Sequence, residues 1–174
     1  MPGIKYVLPD KTTITLMYNG IAILRMKESD ADERIIGKSS AEGNNALFEI
    51  ASALAEGGEM YNRYMGLTPI EIPSAEVFSK LDKLNITLLR IAVLRSIIEG
   101  AGKSNGAEEE EDVGLAELAE QNKKSSSDII TDLLSVGRLA GLSVKETMVL
   151  PLEILNSLAE QNSKREGMLK WLGM

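Results

Sequence analysis

The chain has 174 residues, no cysteine, no histidine and a formal net charge of −7. Those absences exclude disulfides, thiol catalysis and cysteine-ligated metals, and they remove the commonest general base and zinc ligand. Aromatic residues are 4% of a chain that is 44% hydrophobic, so its core must come from Leu, Ile, Val, Met and Ala, a composition that favours helices.

The charge is unevenly spread. Residues 1–100 hold 11 Lys and Arg against 13 Asp and Glu, whereas residues 101–174 hold 8 against 13. Such a C-terminal part repels a phosphate backbone, so nucleic acid is not an expected partner. MPGIKYVLPD lacks a basic start followed by an apolar stretch, and no secretory leader is expected from it. The longest apolar segment, residues 84–98, is broken by Arg90 and Arg95 and does not suit a membrane span. The cytoplasm is the default compartment.

In chain order, IKYVL (4–8) and TTITLMY (12–18) flank Pro9-Asp10-Lys11, which predicts a β-hairpin. Ile14, Leu16 and Tyr18 alternate with Thr13, Thr15 and Met17, as a strand with one buried face requires. Asn19 is placed to cap a helix holding Ile21 and Leu24. Residues 29–43 are polar and read as a loop. Leu47, Ile50, Ala51 and Leu54 then form one helical stripe that should stop at Gly57-Gly58. A short helix follows Pro73, with Ser74 as its cap and Val77, Phe78 and Leu81 on one face.

NITLLRIAVLRSIIEG (85–100) is the strongest helical signal. It is apolar around its whole circumference, so protein must surround it. It reads either as a central core helix or as one that gives part of its surface, Leu88, Ile91, Leu94 and Ile98, to another subunit. AGKSNGAEEEED (101–112) breaks the pattern and reads as a flexible acidic linker. Beyond it come AELAEQ, a serine run and three helical stretches. The fold class expected is therefore mainly α (α+β). It comprises an N-terminal hairpin-plus-helix domain over 1–100, the linker, and a small all-helical segment over 113–174.

Few motifs point to chemistry. Gly100-Ala-Gly-Lys-Ser104 resembles the end of a phosphate loop, but Ile97 stands where its first glycine belongs, and a helix rather than a strand precedes it. Asp30-Ala-Asp32 opens like a calcium loop, but Ile35 and Ala41 occupy the positions of the required Gly and Glu. No catalytic, metal or cofactor residue is assigned, and no enzyme is expected.

RLAGLSVKET has the cadence of a helix-turn-helix, which makes a DNA-binding regulator using residues 128–155 the alternative function. Against it, Lys145 is the second helix's sole cation and Pro151 interrupts that helix. Ser143 and Glu146 form a capping box. Val144, Met148, Leu152 and Leu155 recur at helical spacing across a kink at Pro151, a stripe suited to protein contact.

The run IKYVLPDKTTITLMY into NGIAILRM, then NALFEIASALAEGG and SAEVFSKLDKLNITLLRIAVLRSIIEG, resembles the tail assembly chaperones of long-tailed bacteriophages. LLSVGRLAGLSVKETMVLPLEILNSLAEQN is similar to the C-terminal extension of that family's long form, which often arises by ribosomal frameshifting. The resemblance implies a homo-oligomeric assembly factor of the host cytoplasm, absent from the mature virion. It would coat the tape-measure protein with its N-terminal domain and recruit tail-tube subunits with the extension.

Overall fold

β1 (Ile4–Val7) and β2 (Thr13–Leu16) pair antiparallel, with Ile4 opposite Leu16 and Val7 opposite Thr13. In this computed structural model, residues 2–31, 40–101, 116, 119 and 123–171 are described. The hairpin turn closes as its sequence suggests. Lys11 takes a positive φ of 70°, the Asp10 carboxylate accepts the Thr12 N–H at 2.8 Å, and Leu8 bonds to both Lys11 and Thr12. Ile14, Leu16 and Tyr18 are buried, but so are Thr15 and Met17. β2 is therefore covered on both faces, where alternation alone predicts one.

The cause is α2 (Ser40–Tyr64), which does not stop at Gly57-Gly58 but runs through them. A Cβ on Gly58 would lie 2.0 Å from the Thr15 carbonyl oxygen, and one on Gly57 would lie 2.7 Å from the Met17 carbonyl oxygen. The two glycines are where a helix backbone touches a strand backbone, and Met17 N–H donates to Leu54 O there at 3.0 Å. Glycine inside a helix costs about 1 kcal/mol against alanine; the strand contact offsets that cost.

α1 (Gly20–Glu28) starts where Asn19 accepts the Ala22 N–H. α3 (Ala75–Ser79) follows Ser74, which has the extended backbone of a cap but no capping side-chain bond, and α3 buries Phe78. α4 (Lys83–Gly100) begins two residues before the expected Asn85, because the Asp82 carboxylate accepts the Asn85 N–H at 2.8 Å.

The C-terminal helices are α5 (Ser126–Leu139), α6 (Val144–Val149) and α7 (Leu152–Trp171). The Ser143–Glu146 capping box opens α6 as predicted, and a second box, Ser125–Asp128, opens α5. Gly141, at φ 73°, makes the turn between them. Pro151 does not kink one helix. It separates two, because it holds Leu150 in the extended region, and its carbonyl accepts the Leu155 N–H in the first turn of α7.

Residues 32–39 and 102–115, the latter including nearly all of the acidic stretch 101–112, lie outside the described residues. Residues on either side of that stretch share one core. Ile129, Leu133 and Leu155 join Leu16, Ile23, Leu54 and Ile97 in a single buried cluster, and Val149 packs with Met17 and Tyr61 in another. Among the described residues, no helix is long and apolar enough to cross a membrane.

Candidate interaction surface

Most of α4 is used up by the core, which takes Leu89, Ala92, Val93 and Ile97. What remains apolar on its outer side is one row, beside the exposed polar Lys83, Thr87 and Arg90. Leu84 is 68% exposed, Leu88 47% and Ile91 48%, and Arg95 and Glu99 continue the row with side chains about half exposed, 3.9 Å apart. Leu94 and Ile98, proposed from the sequence as contact residues beside Leu88 and Ile91, are interior instead at 5% each. Phase does not separate them from the row, because Ile98 lies seven residues from Ile91 and shares its face; the C-terminal part of α4 is closed over by the body, with Gly100 against Tyr18. Leu84 was missed. Its spacing of four to Leu88 and seven to Ile91 was visible, but in a segment apolar all round nothing singled that row out.

The second candidate stripe fares differently. Val144 is 63% exposed, but Leu155 is fully buried, and Met148 and Leu152 are partly buried against the core. The stripe is adhesive toward this chain's own body. A Cβ on Gly20 would come within 3.1 Å of the Met148 sulfur, so the start of α1 is kept bare for α6. Gly137 is bare for the same reason: a Cβ there would sit 1.9 Å from the Thr147 hydroxyl. Among the described residues of this part, the large outward-facing apolar side chains are Leu139, 56% exposed, and Val144, either side of the Gly141 turn.

One polar residue fixes how the C-terminal helices sit. Asn19 is fully buried. Its amide nitrogen donates to Gly57 O at 3.1 Å and to Val149 O at 2.8 Å while its oxygen caps α1. Its backbone also bridges to Pro151. All hydrogen-bonding positions of that amide except one acceptor direction are filled, which locks α1, α2 and the α6–α7 turn in register. Sequence reading identified the cap but not the two long-range bonds, which have no sequence signature. At the rim, Tyr64 donates to Glu146 at 3.1 Å. Hydrogen bonds from Ser143, then from Tyr64, hold the Glu146 carboxyl below its ordinary value, and the same contact raises the Tyr64 hydroxyl.

Among the described residues, no three acidic side chains converge as a metal site would require. α6 is six residues long with Lys145 as its one cation, and Glu146 is committed to its cap. In comparisons with known proteins, no protein-family model, no curated protein and no solved structure matches this chain.

Proposed function

We propose that the protein is a non-enzymatic assembly chaperone for a phage tail, which holds the tape-measure protein and brings tail-tube subunits to it. The observation that carries this reading is the row Leu84, Leu88 and Ile91, exposed aliphatic surface on a helix whose inner face is filled by the core. Contiguous exposed aliphatics mark protein contact. The absence of cysteine and histidine from the sequence lowers the prior for catalysis, and the net charge of −7 keeps an adhesive chain soluble. The order of hairpin, apolar helix and helical extension supports the choice of this chaperone family. In this reading the Gly141 turn, with Leu139 and Val144, is the place for a tail-tube subunit.

The test is co-expression of the full chain with apolar helical segments of a tape-measure protein. Those segments should stay soluble and co-purify with the chain. Segments that aggregate equally with and without it would overturn the reading.

A DNA-binding role for residues 128–155 has weaker support. The six-residue α6 offers a groove one cation, and its partly buried Met148 faces the body. Retention of duplex DNA at low salt would reverse that judgement.

A further inference from the structure

The amide that ties the C-terminal helices to the body sits in a chemically fragile step. Asn19 is followed by Gly20, and glycine has no side chain to keep its backbone nitrogen away from the carboxamide before it. The fold requires glycine there, since a Cβ would come within 3.1 Å of the Met148 sulfur and 3.2 Å of Leu133 Cδ1. The close seat of α5 and α6 on α1 therefore places Asn19 in a step that favours deamidation. In that reaction the Gly20 nitrogen, having lost its proton to solvent, attacks Asn19 Cγ. A C–N bond forms, the Cγ–Nδ2 bond breaks, and Nδ2 leaves as ammonia with a proton from solvent. Water then adds to one carbonyl of the cyclic imide and breaks its C–N bond, giving aspartate at position 19 or its β-linked isomer.

The folded chain blocks the first step. Asn19 is fully buried, and its backbone is extended at ψ −178°. Its oxygen accepts the Ala22 N–H at 3.1 Å, and its nitrogen donates to Gly57 O at 3.1 Å and to Val149 O at 2.8 Å. A carboxamide held at both ends cannot turn its carbon onto Gly20. Val149 ends α6, so freeing the amide means lifting α6. With it go α5 and α7, because Gly137 of α5 packs on Thr147 of α6 and Asn162 of α7 donates to Leu139 O of α5.

The product opposes re-docking. Aspartate still offers an oxygen to the Ala22 N–H, as a good helix cap does, but an ionised carboxylate has no donor. It would set a charge and a third acceptor against the Gly57 and Val149 carbonyls in a buried site. The start of α1 survives this; the seat of α5–α7 does not. We infer that Asn19-Gly20 is a deamidation site guarded by the docking of α5–α7, and that its conversion makes their release permanent. Neither step depends on what the chain binds.

The full chain, incubated at mildly alkaline pH both folded and in urea, tests this by mass spectrometry of the peptide spanning Asn19. Asn19 should convert readily in urea and about 100-fold more slowly or less when folded, as for a group reached only through local opening. Leu155→Ala, which removes a fully buried side chain of α7, should speed the folded reaction by about 10-fold or more. Hydrogen exchange on the converted chain after refolding, with Asn19→Asp beside it, should show protection lost in α5–α7 and kept in α1 and α4. An Asn19 that fails to convert in urea, converts equally fast when folded, or is unmoved by Leu155→Ala would overturn the guarded site. Protection kept in α5–α7, or lost evenly along the chain, would overturn the permanent release. The kinetics are read on the unaltered chain, so they decide even if Asn19→Asp does not fold.

Discussion

The row on α4 and the stripe running from α6 into α7 have similar composition and helical spacing, yet they meet opposite fates. Leu84, Leu88 and Ile91 stay in water, whereas Leu155 is sealed and Met148 and Leu152 lie against the core. The chain itself supplies a partner for the second stripe. Gly20 lets α6 come close, and the buried Asn19 amide ties Val149 to Gly57. Among the described residues, nothing comparable covers the outer side of α4. An apolar stripe states that a helix needs covering; it does not state by whom.

Substitutions that separate the covered stripe from the open one should differ widely in cost. The largest effect is expected at the helix–strand contact beneath both. Gly58→Val would drive a side chain into the Thr15 carbonyl, backbone that cannot swing aside, and should destabilise the fold by about 3 kcal/mol or more. Chemical denaturation would measure it, and a loss under about 1 kcal/mol would mean that the α2–β2 approach is looser than described.

Leu155→Ala should cost about 3 kcal/mol, as for a fully buried leucine, whereas Leu88→Ala should stay within about 0.5 kcal/mol. Equal costs at the two positions would erase the contrast between the stripes. Asn19→Ala strips bonds from Gly57 O, Val149 O and Ala22 N–H, a loss of about 2 kcal/mol. Hydrogen exchange should show the added opening concentrated in α5–α7, with α4 little changed. An even rise across the chain would deny Asn19 its role as the specific tie.

The smallest effect is in the pH dependence. Hydrogen bonds from Ser125 hold the Asp128 carboxyl below its ordinary value, and those from Ser143 do the same for Glu146. A carboxyl lowered in the folded state stabilises above its unfolded value and loses that contribution as pH falls through its folded value. Melting temperature should therefore drop on acidification, and Ser125→Ala with Ser143→Ala should flatten the drop. An unchanged slope would show that other carboxylates govern it.

Local chemistry fixed much of this fold in advance. The hairpin follows from β-branched runs around Pro9-Asp10-Lys11, the cap of α1 from Asn19, and the start of α6 from Ser143 and Glu146. These were legible because each depends on residues within four of one another. Gly57-Gly58 was misread as a helix end for the opposite reason. Glycine signals either a break or a close approach, and which one holds here depends on β2, some 40 residues away. Pro151 was misread more mildly, since an X-Pro step permits a kink or a fresh start, and the extended backbone of Leu150 makes it the latter.

What the amino-acid order determined alone was the kind of protein: helical, acidic, and without thiol or imidazole. Which aliphatics would be left outside was settled only in three dimensions. Exposure is a property of helical phase and of long-range neighbours such as Asn19 and Gly20. Packing of the body covers Leu94, Ile98 and Leu155, and leaves Leu84, Leu88 and Ile91 exposed.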